Sequence, residues 1–262
     1  MKRILVATDS FKGSLSSLQA GEAIRNGLLK VWPDAKVNVL PVSDGGEGML
    51  EAFGRAFETQ LHTLRVQDLM FRPITSAFCL TPDGRTAFVE TARSAGLTLL
   101  GSKERNPMLT TTIGVGQTVK AALEQGAQTV VIGLGGSGTN DGGMGFASAL
   151  GFKFFDAQGN TLSGCGEDLN KVCRIDGSAV SPLVKGAHLV AACDVQAPFC
   201  GPEGAACVFA PQKGATEQQV EMLDLGLKHF AKVIHEEYNI DIAETPGAGA
   251  AGGLGGMLMG LF

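Results

Sequence analysis

The chain has 262 residues, room for one large domain or two smaller ones, and its 44% hydrophobic and 18% charged residues are those of an ordinary globular protein. A net charge of −5 without a basic run argues against nucleic acid or an acidic membrane surface as partner, and no stretch approaches the roughly 20 apolar residues of a membrane span. Glycine is the outlier, with 37 residues, about twice the usual ~7% share; this suits backbone-built anion loops better than the aromatic platforms of a nucleic-acid binder.

Met1 to Thr8 runs straight into a strand, Ile4–Ala7, without the apolar segment of a secretory leader. Cys79, Cys165, Cys173, Cys193, Cys200 and Cys207 form neither a C-x-x-C nor a Cys/His pattern, so reduced, mostly buried thiols and a cytoplasmic location are expected. A helix is expected over 17–31, with Leu18, Ile24, Leu28 and Val31 on an apolar stripe and Pro33-Asp34 ending it. Val37–Leu40 then reads as a second strand, parallel to the first because a helix joins them. Both strands end in polar loops, one with Asp9, Ser10 and Lys12, the other with Asp44, Gly45, Gly46 and Glu47. Such loops share the sheet edge where open α/β folds bind ligands. A helix follows from Met49 to about Phe57.

From Leu61 to Thr91 the texture alternates like antiparallel strands, turning at Thr81-Pro82-Asp83-Gly84-Arg85 and ending at Val89-Glu90; a domain boundary is expected near residue 63. A helix from about Gln117 to Gln125 leads to the apolar strand Thr129–Ile132, which opens into Gly133-Leu134-Gly135-Gly136-Ser137-Gly138-Thr139-Asn140-Asp141-Gly142-Gly143. Bare amides at a strand's carboxyl end can cradle phosphate, and Asp141 just beyond would suit a bridging Mg²⁺. The same stretch spells G-x-G-x-x-G, with Asp156 about 20 residues on, so an NAD(P)-dependent oxidoreductase is the alternative. Against it, breaker residues stand where the helix should start, and Asp156–Asn160 reads as a hairpin tip. Leu189–Cys193 is a further strand, leading to Asp194, and Glu217–Glu237 is a core-packing helix. The Gly/Ala-rich run Pro246–Gly256, with Gly247 and Gly249, reads as a second loop before an apolar tail.

Phosphoryl transfer needs cradled phosphates, carboxylates for Mg²⁺, a cation and a base. Asp9 and Lys12, Asp44 and Glu47, Glu90, Asp141, Asp194 and Lys213 supply that set at strand ends, although any single carboxylate suits a turn or helix cap equally well and Lys213 suits a solvated loop. His62, His188, His229 and His235 do not cluster, and no Ser-His-Asp arrangement suggests itself.

Five motifs in order, Asp9–Ser16, Pro41–Gly48, Gly135–Gly143, Pro211–Ala215 and Pro246–Gly253, together resemble the glycerate kinase family of the bacterial glycerate 2-kinase type. The resemblance implies ATP-dependent, Mg²⁺-assisted phosphorylation of D-glycerate, mainly to 2-phosphoglycerate. It implies two different α/β domains with the active site in the cleft between them: a flavodoxin-like one from 1–63 and 246–262, incomplete here, and an inserted mixed-sheet one from 64–245. Asp194, Asp141 and Lys12 would be catalytic, with Asp141 and Asp194 on the metal. Asp9, Ser10, Asp44, Glu47 and Glu90 would bind substrate. Gly135, Gly136, Ser137, Gly138, Thr139, Asn140, Lys213, Gly247 and Gly249 would bind the nucleotide. Family members continue past the Gly/Ala loop through a Thr-Gly-Glu-Gly-Arg-type motif, so uncovered apolar faces on the first domain, and a binding remnant without catalysis, are also expected. Oligomeric state is left open.

Overall fold

The computed structural model describes residues 1–11 and 14–262. In chain order the elements are β1 (Arg3–Thr8), α1 (Ser17–Val31), β2 (Lys36–Pro41), α2 (Met49–Ala56), β3 (Gln60–Gln67), β4 (Pro73–Leu80), β5 (Thr86–Glu90), α3 (Ala92–Ala95), α4 (Ile113–Glu124), β6 (Thr129–Gly133), α5 (Met144–Ala149), β7 (Lys153–Phe155), β8 (Arg174–Asp176), α6 (Pro182–Lys185), β9 (His188–Ala192), α7 (Ala205–Phe209), α8 (Glu217–Tyr238) and α9 (Ala250–Leu261). The architecture is mixed α/β.

The larger sheet has the order β3-β4-β5-β6-β9. Its first two pairings are antiparallel and its last two parallel. Alternation along the strands gives it two apolar faces. Phe78, Leu80, Val89, Val130 and Ile132 turn to a core filled by Val115 and Val119 of α4, Phe146 of α5, Leu227 and Phe230 of α8, and Leu254 and Met257 of α9. Ala77, Cys79 and Phe88 turn to the opposite face, where Met49 and Leu50 of α2 cover them. Each large side chain so buried stabilises the fold by about 1.5–3 kcal/mol.

β1 and β2 form a separate parallel pair in full register, Arg3 with Lys36 through Thr8 with Pro41. Helix α1 starts at a capping box in which Ser16 and Gln19 bond reciprocally, which explains its sharp beginning. Its expected apolar stripe is only partly used. Ala20 and Gly21 are buried against the pair, with Gly21 facing Val39, whereas Ile24 and Val31 are exposed. A two-stranded sheet is too narrow to cover 15 helical residues. Leu5 and Leu40, on its other face, are 64% and 44% exposed.

Two further expectations are corrected. Of six cysteines, only Cys79 and Cys165 are buried; Cys173 and Cys193 are exposed, because they fall in loops beyond strand ends. Helix α4 begins at Ile113, four residues early, since Gly114 and Gly116 serve as close-packing surfaces inside it rather than as loop residues. Among the described residues, no helix is long and apolar enough to cross a membrane.

Candidate active site

Three strand ends converge because glycines let their backbones touch. The Gly135 amide donates to the carbonyl of Gly45, after β2, at 3.0 Å. A Cβ on Gly45 would stand 2.2 Å from the Ala192 oxygen at the end of β9, and one on Gly135 would stand 2.6 Å from Gly46 Cα. No side chain larger than hydrogen fits either contact. The loops after β2, β6 and β9 are thereby pressed together, and with them their polar residues.

The cavity they enclose has a volume of about 350 Å³ and is lined by Asp44, Glu47, Gly135, Gly136, Ser137, Asp194 and Lys213 among others. Seven residues singled out in the sequence, six from three separate motifs together with Asp194, thus share one opening. Gly136 is exposed, with a φ of +73° that favours glycine, and the amides of Gly136 and Ser137 have no acceptor among the described residues. Asp44 accepts from the Gly46 amide at 2.8 Å, which fixes one of its oxygens at the rim. Asp194 and Glu47 are exposed on the same cavity. One wall is apolar, from Leu97, Leu134, Val195 and Phe209.

Lys213 is buried, contrary to the solvated-loop alternative. It closes the short 3-10 turn Pro211–Lys213, which Gly214 ends in a left-handed conformation. Its ammonium donates to Ser137 Oγ at 3.1 Å and to the Thr139 carbonyl at 2.6 Å. Burial pulls its pKa down to about 8, against the attraction of Asp141.

Other predicted residues lie elsewhere. Asp141 is fully enclosed. One oxygen accepts from the Thr112 amide and hydroxyl and from the Gly145 amide, the other from the Gly143 amide. Burial pushes its carboxyl above the ordinary range, opposed by these donors. Asp141, expected on the metal or as base, thus has both oxygens engaged in tying the glycine loop to α4 and α5. Glu90, expected to bind substrate, is engaged in the same way. Its oxygens accept from the Leu50 amide at 2.9 Å and from Arg93 Nε at 2.8 Å, and it is only 3% exposed. Gly138, Thr139 and Asn140 are buried behind the cavity lip; Thr139 Oγ1 and both side-chain polar atoms of Asn140 lack a hydrogen-bond partner.

Gly247 and Gly249 do not line the cavity. The Gly249 amide donates to the Ala197 carbonyl at 2.9 Å, and Gly247 lies against Val195. The Gly/Ala run is a kinked start to α9, left-handed at Ala251, Gly252 and Gly253, rather than an open loop, and Ala251 reaches the cavity. Asp9 accepts from the Ser10 amide, and Ser10 Oγ donates to the Glu47 carbonyl at 3.4 Å, beside a smaller depression that Ser10 shares with Glu47. Lys12 lies outside the described residues. Asp156 accepts from the amides of Gln158 and Asn160 in a tight turn, so it is no ribose ligand at a strand end. Gln212 and Phe209 also line the cavity unpredicted; Gln212 lay inside the Pro211–Ala215 motif, whereas Phe209 had no local signal.

A glycine turn at the ends of parallel strands, sharing a cavity with several acids, is the layout of an α/β phosphotransferase. The sequence model described as the glycerate kinase family matches residues 4–262. The glycerate 2-kinase of Escherichia coli (strain K12) is 42% identical over 257 residues, covering 98% of this chain and 68% of that protein. The glycerate kinase of Bacillus subtilis (strain 168) is likewise 42% identical over 257 residues, with 98% and 67% covered. A crystal structure from Salmonella typhimurium LT2, assigned as a glycerate kinase 2, superposes with a TM-score of 0.88 at 39% identity, covering 99% of this chain and 69% of that one. The chain belongs to the glycerate kinase family, a family of phosphotransferase enzymes.

Proposed function

We propose that the protein transfers a phosphoryl group from ATP to D-glycerate, giving mainly 2-phosphoglycerate, in the cytoplasm. The observation that carries this reading is the shared cavity, lined by Gly135, Gly136 and Ser137, by Asp44, Glu47 and Asp194, and by Lys213. The unpartnered Gly136 and Ser137 amides suit phosphate oxygens. The apolar wall of Leu97, Leu134, Val195 and Phe209 suits a nucleotide base.

Three carboxylates around one opening fit Mg²⁺, which takes oxygen ligands and keeps several waters. Asp194 and Asp44 would hold it. When bound, Mg²⁺ neutralises charge on the phosphates and orients them. The Lys213 ammonium keeps the Gly136–Ser137 turn facing the cavity and adds a cation below it. Glu47 is the carboxylate left to draw the proton from the attacking hydroxyl. For the division of the chain we propose one unit around β1, α1 and β2 and another around the five-stranded sheet; the packing of α2 and α9 on the larger sheet favours counting both with the second.

The test is ADP release coupled to D-glycerate, with the product's phosphate position read by phosphorus NMR. Release that depends on D-glycerate supports the reading. ATP binding without turnover replaces it with a nucleotide-binding protein, and NADH binding in place of ATP would restore the oxidoreductase alternative.

A further inference from the structure

Glu90 presents a buried carboxylate that does not line the cavity, and it stands where three pieces of the site meet. It ends β5, where its Cα pairs with Gly133, the first residue of the glycine turn. Its Oε1 accepts from the amide of Leu50, the second residue of α2, at 2.9 Å. Its Oε2 pairs with Arg93 of α3 at 2.8 Å, and Ala92 beside that arginine lines the cavity. Helix α2 has no cap of its own: Gly48 is left-handed and offers no side chain to the first-turn amides. Asp44 and Glu47 lie within four residues of this uncapped end. A carboxylate brought from another strand to the positive end of α2 supplies the missing acceptor. The half-exposed Arg93 offsets the cost of burying its charge.

We propose that Glu90 is a positioning residue: from the end of β5 it fixes the Asp44–Glu47 loop at the mouth of the cavity without touching what binds there. The role of the two acids rests on the function proposed above. The anchoring itself does not.

Glu90→Gln keeps an oxygen for the Leu50 amide but turns an NH₂ toward Arg93, donor against donor. Amide hydrogen exchange over residues 46–52 is expected to speed up about tenfold or more in this variant. Its kcat is expected to fall about tenfold or more, with KM for ATP and D-glycerate within about twofold. In a Glu47→Gln background the same change is expected to cost less than about threefold further, because both act through one loop. Arg93→Met leaves the Leu50 bond in place and is expected to move exchange in the same direction by less; it carries the test where Glu90→Gln does not fold. Unchanged exchange at 46–52, fully additive losses, or a raised KM for D-glycerate with kcat intact would each overturn the proposal. If the wild-type protein releases no ADP, the proposed function falls, and exchange at 46–52 alone decides the anchoring.

Discussion

The Lys213 ammonium lies 2.6 Å from the Thr139 carbonyl, so the turn after α7 is bolted to the glycine turn after β6. A cation lining the cavity is therefore also a structural pin, and its two duties separate with pH. Burial lowers its pKa from 10.5 to about 8. Between those values the unfolded chain holds a proton that the folded chain has lost. Lys213 therefore opposes folding fully below about pH 8, and that cost fades as pH rises toward 10.5. Over the same window the charge offered to a phosphate disappears, while the neutral amine can still donate to Thr139.

The expected outcome is that ATP affinity, measured by calorimetry without D-glycerate, falls as pH rises through about 8. Lys213→Arg, charged throughout, is expected to hold its affinity level over that range. Lys213→Met is expected to weaken ATP binding about tenfold or more with little loss of stability, because it also removes a buried charge. A wild-type affinity that stays level as Lys213 deprotonates would take this residue out of the phosphate site.

Asp141 gives a contrasting prediction. Its oxygens accept from three amides and one hydroxyl in the interior. Asp141→Asn places an NH₂ against at least one of those donors, at a cost of about 2–4 kcal/mol. Urea unfolding measures it. An unchanged midpoint, combined with lost activity, would return Asp141 to the reacting centre.

What was legible in the sequence follows the range of the forces involved. Local signals sufficed for α1, where the apolar spacing and Pro33-Asp34 set the helix and its end, and for the hairpin turn at Asp156. They also sufficed for the parallel pairing of β1 with β2, which the joining helix dictates. Asp44, Glu47 and Asp194 could be placed at strand ends because each lies in the loop after a strand, β2 or β9, although those strands belong to different sheets. Asp141 and Glu90 look no different in the sequence, yet their oxygens are claimed by Thr112 and Leu50, 29 and 40 residues away. Lys213 errs the other way, a loop lysine buried by a partner 74 residues distant. Residue type announces the chemistry available; only tertiary packing decides which groups keep access to the cavity.

Glycines divide along the same line, and two of them test it. Gly252 has φ +67°, and a Cβ there would stand 2.0 Å from the Thr139 oxygen. Gly159 has φ +82° but nothing within 4 Å of its would-be Cβ. Gly159→Ala is expected to cost about 1–2 kcal/mol, the conformational term alone. Gly252→Ala adds a backbone clash between the kink of α9 and the glycine turn, so a loss above about 4 kcal/mol, or failure to fold, is expected. Equal costs in thermal unfolding would mean that the α9 kink is not packed against Thr139 as described.

Asp194 separates chemistry from stability most cleanly. It is exposed, it lies two residues past the end of β9, and it lines the cavity. Removing its charge leaves no buried group unpaired, so Asp194→Asn is expected to shift stability by no more than about 0.5 kcal/mol. With one of two proposed Mg²⁺ ligands neutralised, turnover is expected to fall about 100-fold or more and the Mg²⁺ needed for half-maximal rate to rise. Asp44→Asn should raise the Mg²⁺ requirement in the same direction. The measurement is initial rate against Mg²⁺ at saturating ATP and D-glycerate, beside a thermal melt. A variant with unaltered Mg²⁺ dependence would shift metal binding to another carboxylate of the cavity, with Glu47 the remaining one on its wall.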